Sequence, residues 1–360
     1  MIQPEVCVPP SHVIRPSLPE GSGPGVLPAV ELLVAAAGAV PIGGSRPPIV
    51  VADYGASGGR ASLLPISRAV EALRARVGTQ RSVLVVHTDR PDNDFTSLFR
   101  TLADDPASYL RDDPATFCAA VGRDFFEQVL PSDSVTLGWA ASVTQSLRRP
   151  PVPVPDHIHV GYSADASARR AFAGQAARDW HDFVAYRGRE LAPGGRLVVL
   201  TSTVDDEGRP GFEPLLDAVA AELDALATAG VIGADEARRM ALPTYARTEA
   251  EFTAPFAPSG RLENLSVERV ERYVAADENH ERYLADGDAR QFGARWAGLL
   301  RTLILPGLVA GLDGGRADPR SAEVADRIAS GAAARLAAAP QPMTLPMARL
   351  LLVKRPAERP

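Results

Sequence analysis

The sequence predicts an α/β fold built on a doubly wound parallel sheet, and three observations predict it. Four short runs rich in β-branched residues and Leu are flanked by turn residues: Ile49–Ala52, Val83–Val86, Ser134–Leu137 and Arg196–Leu200. Helical periodicity lies between them. The first two runs lead into an acid, Asp53 and Asp89. Strands that alternate with helices pair in parallel through crossovers.

Taken in order, residues 1–25 carry many prolines and glycines ("PPSHVIRPSLPEGSGPG") and read as an irregular arm. Val26–Val40 reads as a helix, with Leu27, Val30, Leu33, Val34 and Ala37 at three- and four-residue steps. The loop "PIGGSRPP" ends it. After the first strand, Ile66, Val70, Leu73 and Val77 line one face, and Gly78 stops that helix. Before the fourth strand, Phe172, Ala176, Trp180 and Phe183 line another, and Pro193-Gly194-Gly195 turns the chain into the strand.

The pattern changes near Asp205. Phe212–Ala229 and Ala234–Met240 are helical with Gly230 as a stop between them, and Thr248 is placed to N-cap a short helix. Residues 281–340 are mostly helical, and Arg349–Val353 is the last strand. The division is therefore an arm (1–25), a ligand-binding core (26–204), a mainly helical cap with returning core segments (205–340), and a closing strand and tail (341–360). No repeat of 20–50 residues appears.

Composition excludes several classes. Apolar residues are 46% and charged residues 23% of 360, with a formal net charge of −6, so this is an ordinary globular composition. No dense Lys/Arg run marks a nucleic-acid binder. The two cysteines, Cys7 and Cys118, make neither a disulfide framework nor a CxxC pair. No basic segment followed by an apolar core opens the chain, and the longest apolar stretch, Val30–Val40, is too short for a bilayer. A cytoplasmic protein without a membrane partner is expected.

The first chemical signal is "VADYGASGG". Asp53 ends a strand, and Gly55, Ser57 and Gly59 alternate after it. In open α/β sheets, ligands bind beyond the carboxyl ends of the strands. A carboxylate there disfavours a pyrophosphate and favours a ligand with a cationic end. S-adenosylmethionine, with an α-ammonium and a sulfonium and no phosphate, has that character. The plainer alternative is a tight strand–helix turn. The second signal is "VLVVHTDRPDNDF", in which Asp89 closes the next strand and is suited to accept from both ribose hydroxyls.

"IVVADYGASGG", "VVHTDRPDNDFTSLF", "AVGRDFFEQVLPSDSVTLGWAAS" and "ELAPGGRLVV" occur in the order and spacing of the SABATH methyltransferases. The chain resembles the salicylate/benzoate carboxyl methyltransferase-like members, in their bacterial branch, over about residues 45–355. The resemblance implies a class I methyltransferase, Rossmann-like core under a helical cap, S-adenosylmethionine as methyl donor with S-adenosylhomocysteine as product, a small-molecule acceptor and a homodimer. It also implies roles. Asp53 and the Gly55–Gly59 turn would hold the methionine end, Asp89 the ribose, and Arg90 the adenine edge. Asp124 stands where the family has Ser, beside the adenine, with Phe125 stacked on the ring and Ala140 approaching through its backbone.

The acceptor side departs from the family. Its aromatic N-terminal motif ending in Asn-Ser…Gln is absent from the arm. In "WAASVTQSL", Ser142 replaces an aromatic residue, Gln145 a His or Met, and Ser146 the Trp that donates to the substrate carboxylate. Gln145 offers an amide as a replacement donor. Trp139, just past the third strand, is a pocket-lining candidate with core packing as the alternative, and Tyr245 and Trp296 stand in the same position within the cap. A carboxylate is already ionised at neutral pH and needs no general base, so the enzyme's work would be alignment, and no catalytic residue is assigned. The expected activity is carboxyl O-methylation of a specialised metabolite. N- or hydroxyl methylation, or a cofactor-binding protein that has lost transfer, are the alternatives. His157 and His159 lack further ligands for a metal, so none is assigned, and His87 near Asp89 lacks the serine of a hydrolase.

Overall fold

The computed structural model describes residues 25–43, 47–111 and 113–355. The expected N-terminal arm, except Gly25, lies outside the described residues, as do Cys7 and the last five residues. Seven strands form one sheet: β1 (Ile49–Tyr54), β2 (Val83–Asp89), β3 (Thr116–Gly122), β4 (Val135–Ala141), β5 (Leu191–Ser202), β6 (Leu265–Ala275) and β7 (Leu345–Lys354). Their order is β3-β2-β1-β4-β5-β7-β6. The first five run parallel, and β7 runs antiparallel to both β5 and β6. The sheet is thus mixed rather than wholly parallel, and β3 and β6 add to the strands read from the sequence. The order reverses between β1 and β4, which opens a crevice at their carboxyl ends.

Helices cover both faces. The first is α1 (Leu27–Ala39), with Val26 as N-cap and Pro in its first turn, where a missing N–H costs nothing. After it come α2 (Arg60–Val77), α3 (Phe95–Asp104), α4 (Ala166–Glu190), α5 (Glu213–Thr228), α6 (Ala234–Arg239) and α7 (Glu249–Thr253). The cap continues with α8 (Glu278–Asp286), α9 (Ala289–Leu299), α10 (Leu305–Leu308) and α11 (Ser321–Ala338). Thr248 caps α7 as expected, in a reciprocal arrangement with Glu251.

Among the described residues, the three largest buried clusters organise the fold. On one face of the sheet, Leu33 and Ala36 of α1 and Ile66 and Leu73 of α2 pack on Val51, Val85, Leu137 and Trp139. On the other, Trp180 and Phe183 of α4 and Phe252 of α7 pack on Ala52, Tyr54, Val199 and Leu350. The third joins α5, α9 and α11 through Val219, Phe292, Trp296, Val324 and Ile328. Each fully buried side chain of this size contributes about 1.5–3 kcal/mol.

Candidate functional site

The turn after β1 is built for a close approach. Gly55, Ser57 and Gly59 all have positive φ (91°, 50° and 83°), so the alternation in the sequence is an alternation of left-handed residues. The N–H groups of Gly55 and Ala56 both donate to the Thr88 carbonyl, at 2.8 and 3.0 Å, which stitches the turn to β2. Gly59 is the N-cap of α2, and a Cβ on it would sit 2.7 Å from Leu98 Cδ1. The φ therefore favours glycine there, and Leu98 would have to shift for any larger residue.

Asp53 and Asp89 end adjacent parallel strands, Asp53 one residue before the end of β1 and Asp89 at the last residue of β2. Both are buried. Asp89 Oδ2 accepts from the Ser57 N–H at 2.6 Å, and Oδ1 accepts from the Arg90 N–H at 2.8 Å. Asp53 Oδ2 lies 2.8 Å from His87 Nδ1, and His87 Nε2 lies 2.8 Å from the Tyr109 hydroxyl. Burial, above all, pushes the Tyr109 phenol well above its usual range. In register, His87, Asp53 and Trp139 stand side by side across β2, β1 and β4.

The segment after β3 is anchored from below. Asp124 Oδ1 accepts from the Phe126 N–H at 3.0 Å, forming a tight turn. Arg187 of α4 donates to the carbonyls of Phe125 and Glu127 at 2.8 and 2.7 Å, and pairs with Glu190 at 2.7 and 2.9 Å. Glu190 also accepts from Val129 N, Leu130 N and the Tyr54 hydroxyl. Burial first, then the Glu190 charge, hold the Tyr54 phenol well above its usual pKa.

Beyond β4, Ser142 adopts φ 55°, and its N–H donates to Leu200. Gln145 is buried, with Nε2 donating to the Ser142 carbonyl at 2.9 Å and Oε1 accepting from Thr201 at 3.1 Å. The loop is tied to the segment entering α7: Ser146 bridges Thr244, Leu147 N donates to Pro243, and Tyr245 N donates to Gln145. Arg247 is enclosed there and donates to the carbonyls of Thr144 and Ala176. Burial lowers its pKa to about 10.

A family model described as SAM dependent carboxyl methyltransferase matches residues 29–337. The chain belongs to this family. It is 28% identical over 207 residues to "Methyltransferase LUC1" of a Fusarium species, covering 56% of this chain and 52% of that protein. It is 24% identical over 235 residues to the salicylate carboxymethyltransferase of Clarkia breweri, covering 62% and 64%. The chain thus spans about half the length of the first of these relatives. A solved structure, loganic acid methyltransferase with SAH, aligns at TM-score 0.74 and 18% identity over 92% of this chain and 94% of that one. The shared fold is the class I methyltransferase fold expected from the sequence.

Within this family member, the residues singled out for the site fall into three places, with Asp124 apart from them in the turn after β3. Asp53, Gly55, Ser57, Gly59, Asp89 and Arg90 gather at the carboxyl ends of β1 and β2 and in the turn between β1 and α2. Ser142, Gln145 and Ser146 lie in the loop after β4. Phe125, Trp139 and Ala140 lie deeper than expected. Phe125 is 2% exposed, with its ring against Phe126 and Phe183, so no open face remains for stacking. Trp139 and Ala140 fall inside β4 rather than after it, because the strand continues to Ala141. Trp139 is 1% exposed and packs beneath α1 and α2; Ala140 is flanked by Tyr54 and Val199.

The remaining candidates have local duties. His159 Nδ1 accepts from Gly161 N at 3.0 Å and caps a short turn, and burial lowers its pKa to about 4. His157 Nδ1 accepts from His159 N. Among the described residues, no group of three or more His, Cys, Asp and Glu is placed to hold a metal, and no helix is long and apolar enough to cross a membrane. Tyr245 donates to Glu251 at 2.8 Å, and Trp296 packs edge-on against Phe212 in the cap. Tyr109, Arg187 and Glu190 escaped the sequence reading of the site, and His87 entered it only as a rejected hydrolase residue. The signal for His87 was a histidine in an otherwise apolar strand; the others stand far away in sequence.

Proposed function

We propose that the protein is an S-adenosylmethionine-dependent methyltransferase that O-methylates the carboxylate of a small specialised metabolite. The observation that carries this reading is the pair Asp53 and Asp89, buried at the ends of adjacent strands on either side of a left-handed, glycine-bearing turn. A buried carboxylate at each position suits a ligand with a cationic end and a vicinal diol, and family membership supports the same cofactor. When bound, S-adenosylmethionine supplies an electrophilic methyl on a sulfonium, which a carboxylate oxygen takes by in-line displacement, leaving the thioether S-adenosylhomocysteine.

This chain's residues would bind and align. Asp53 and the Gly55–Gly59 turn receive the methionine end; Asp89 accepts from the ribose hydroxyls; Arg90 and Asp124 border the adenine. Phe125 supports that border from within the core, and Trp139 and Ala140 form the floor. Ser142, Gln145 and Ser146 face the acceptor. No proton needs to leave an ionised acceptor, so proximity and orientation supply the rate. Homodimerisation, a cytoplasmic location and a place in the family's bacterial branch complete the reading. The composition, rich in Ala, Arg, Gly and Pro, supports the last, while the relatives named above are fungal and plant.

One observation favours a second reading, transfer to nitrogen or hydroxyl. Gln145 spends one amide hydrogen on Ser142 and its carbonyl on Thr201, which leaves a thin clamp for a carboxylate. Calorimetry with S-adenosylhomocysteine, followed by a methyl-labelled donor with a library of acids, amines and phenols, tests both. A base-labile labelled ester is the expected product. A base-stable product selects the second reading, and absence of binding by folded protein overturns both.

A further inference from the structure

His87 has no part in the chemistry above, yet its side chain is fully enclosed beside the cleft, 0% exposed on β2 between β3 and β1. Both ring nitrogens are engaged, Nδ1 with Asp53 Oδ2 and Nε2 with the Tyr109 hydroxyl, each at 2.8 Å. An ionised carboxylate only accepts hydrogen bonds, so Nδ1 carries the hydrogen. In the neutral imidazole Nε2 is then the acceptor and the phenol its donor, a tautomer assigned from the network. The two hydrogen bonds point the same way, from Tyr109 through the imidazole to Asp53, and each polarises the next. The bond to Oδ2 also fixes the rotation of the carboxylate. Trp139, the neighbour of Asp53 on the other strand, brings bulk to that side of the row.

We propose that His87 is a positioning residue for the cofactor: its Nδ1–H, held in that tautomer by Tyr109, sets the Asp53 carboxylate that receives the α-ammonium of the methionine end. This rests on the placement of that end at Asp53 under the proposed function.

Two probes separate positioning from support of the fold. S-adenosylhomocysteine carries the ammonium; 5′-methylthioadenosine shares its adenosine and thioether but lacks the amino-acid tail. In calorimetry on the full chain, His87→Leu is expected to weaken S-adenosylhomocysteine roughly tenfold and to leave methylthioadenosine within about twofold. The side-chain nitrogen of asparagine falls near the place of Nδ1, so His87→Asn is expected to restore the first affinity to within about threefold. Equal losses for both probes, or no rescue by His87→Asn, overturn the proposal. If His87→Leu fails to fold, Tyr109→Phe decides: a selective loss of about threefold for S-adenosylhomocysteine supports it, and no loss overturns it. A wild-type protein that binds methylthioadenosine but not S-adenosylhomocysteine overturns it too, and one that binds neither removes the cleft reading along with it.

Discussion

The Ser57 N–H donates to Asp89 Oδ2 at 2.6 Å, so the acid that closes β2 also holds the turn that leaves β1. A hydrogen bond to a charged acceptor is worth more than a neutral one. The two halves of the cleft are fixed to each other before any ligand arrives.

Asp89→Ala should therefore loosen the turn as well as remove the proposed ribose contact. The expected result is a loss of at least about tenfold in S-adenosylhomocysteine affinity by calorimetry. Unchanged affinity would mean that the ribose lies elsewhere.

Gly59→Ala tests the close packing of the first turn of α2. With φ at 83° and Leu98 Cδ1 at 2.7 Å from the new Cβ, the substitution is expected to cost about 1–3 kcal/mol in urea unfolding. Gly38→Ala, in α1 with nothing within 4 Å, is the matched control and should stabilise by about 0.5–1 kcal/mol. A neutral Gly59→Ala would show that Leu98 can move aside.

Arg187→Met leaves the fully buried Glu190 without its cation and two backbone carbonyls without their donor. Breaking such a pair costs about 3–5 kcal/mol, measured by urea unfolding. The double variant Arg187→Met, Glu190→Gln should recover part of that loss, because no lone charge then remains buried. Failure to recover would place the cost in the carbonyls of Phe125 and Glu127.

Acid should find out His159. Burial holds its pKa at about 4, against an unfolded value near 6.5. The unfolded chain thus binds the proton more readily, and the contribution of the neutral ring is complete above about pH 6.5 and lost as pH falls through about 4. The loss across that window is about 3 kcal/mol. His159→Asn, which keeps an acceptor for Gly161, should show a shallower decline in urea unfolding between those pH values. Parallel profiles would mean that the ring charges without penalty.

Much of this molecule is legible in one dimension. β1, β2, β4 and β5 are buried on both faces and read as apolar runs. Asp53 and Asp89 are legible because a carboxylate after such a run has few other reasons to be there. β3 was missed because an edge strand need not be apolar: "TFCAAVG" is small and half-exposed, with Phe117 54% open. β6, "LSVERVERYVA", carries charges along its open edge and a register shift between Val267 and Arg269, which breaks the period-two signal. Trp139 reads as a residue just past the third strand because the apolar run stops at Leu137; β4 continues through Gly138, where the missing side chain leaves room for Leu197 and Tyr54, to Ala141. The chain Tyr109–His87–Asp53 is invisible in sequence, since only the fold brings a loop after α3 under β2.

The placement of β7 between β5 and β6 sets an order of assembly. As the polypeptide emerges from the ribosome, β6 is made before the helices from α8 to α11, yet it has no hydrogen-bonding neighbour in the sheet until β7 follows them out. The five parallel strands and the cleft between β1 and β4 need not wait. The nascent chain can therefore own the crevice at the ends of β1 and β4 while the outer margin of the sheet and the fastening of the helical lobe are still unmade.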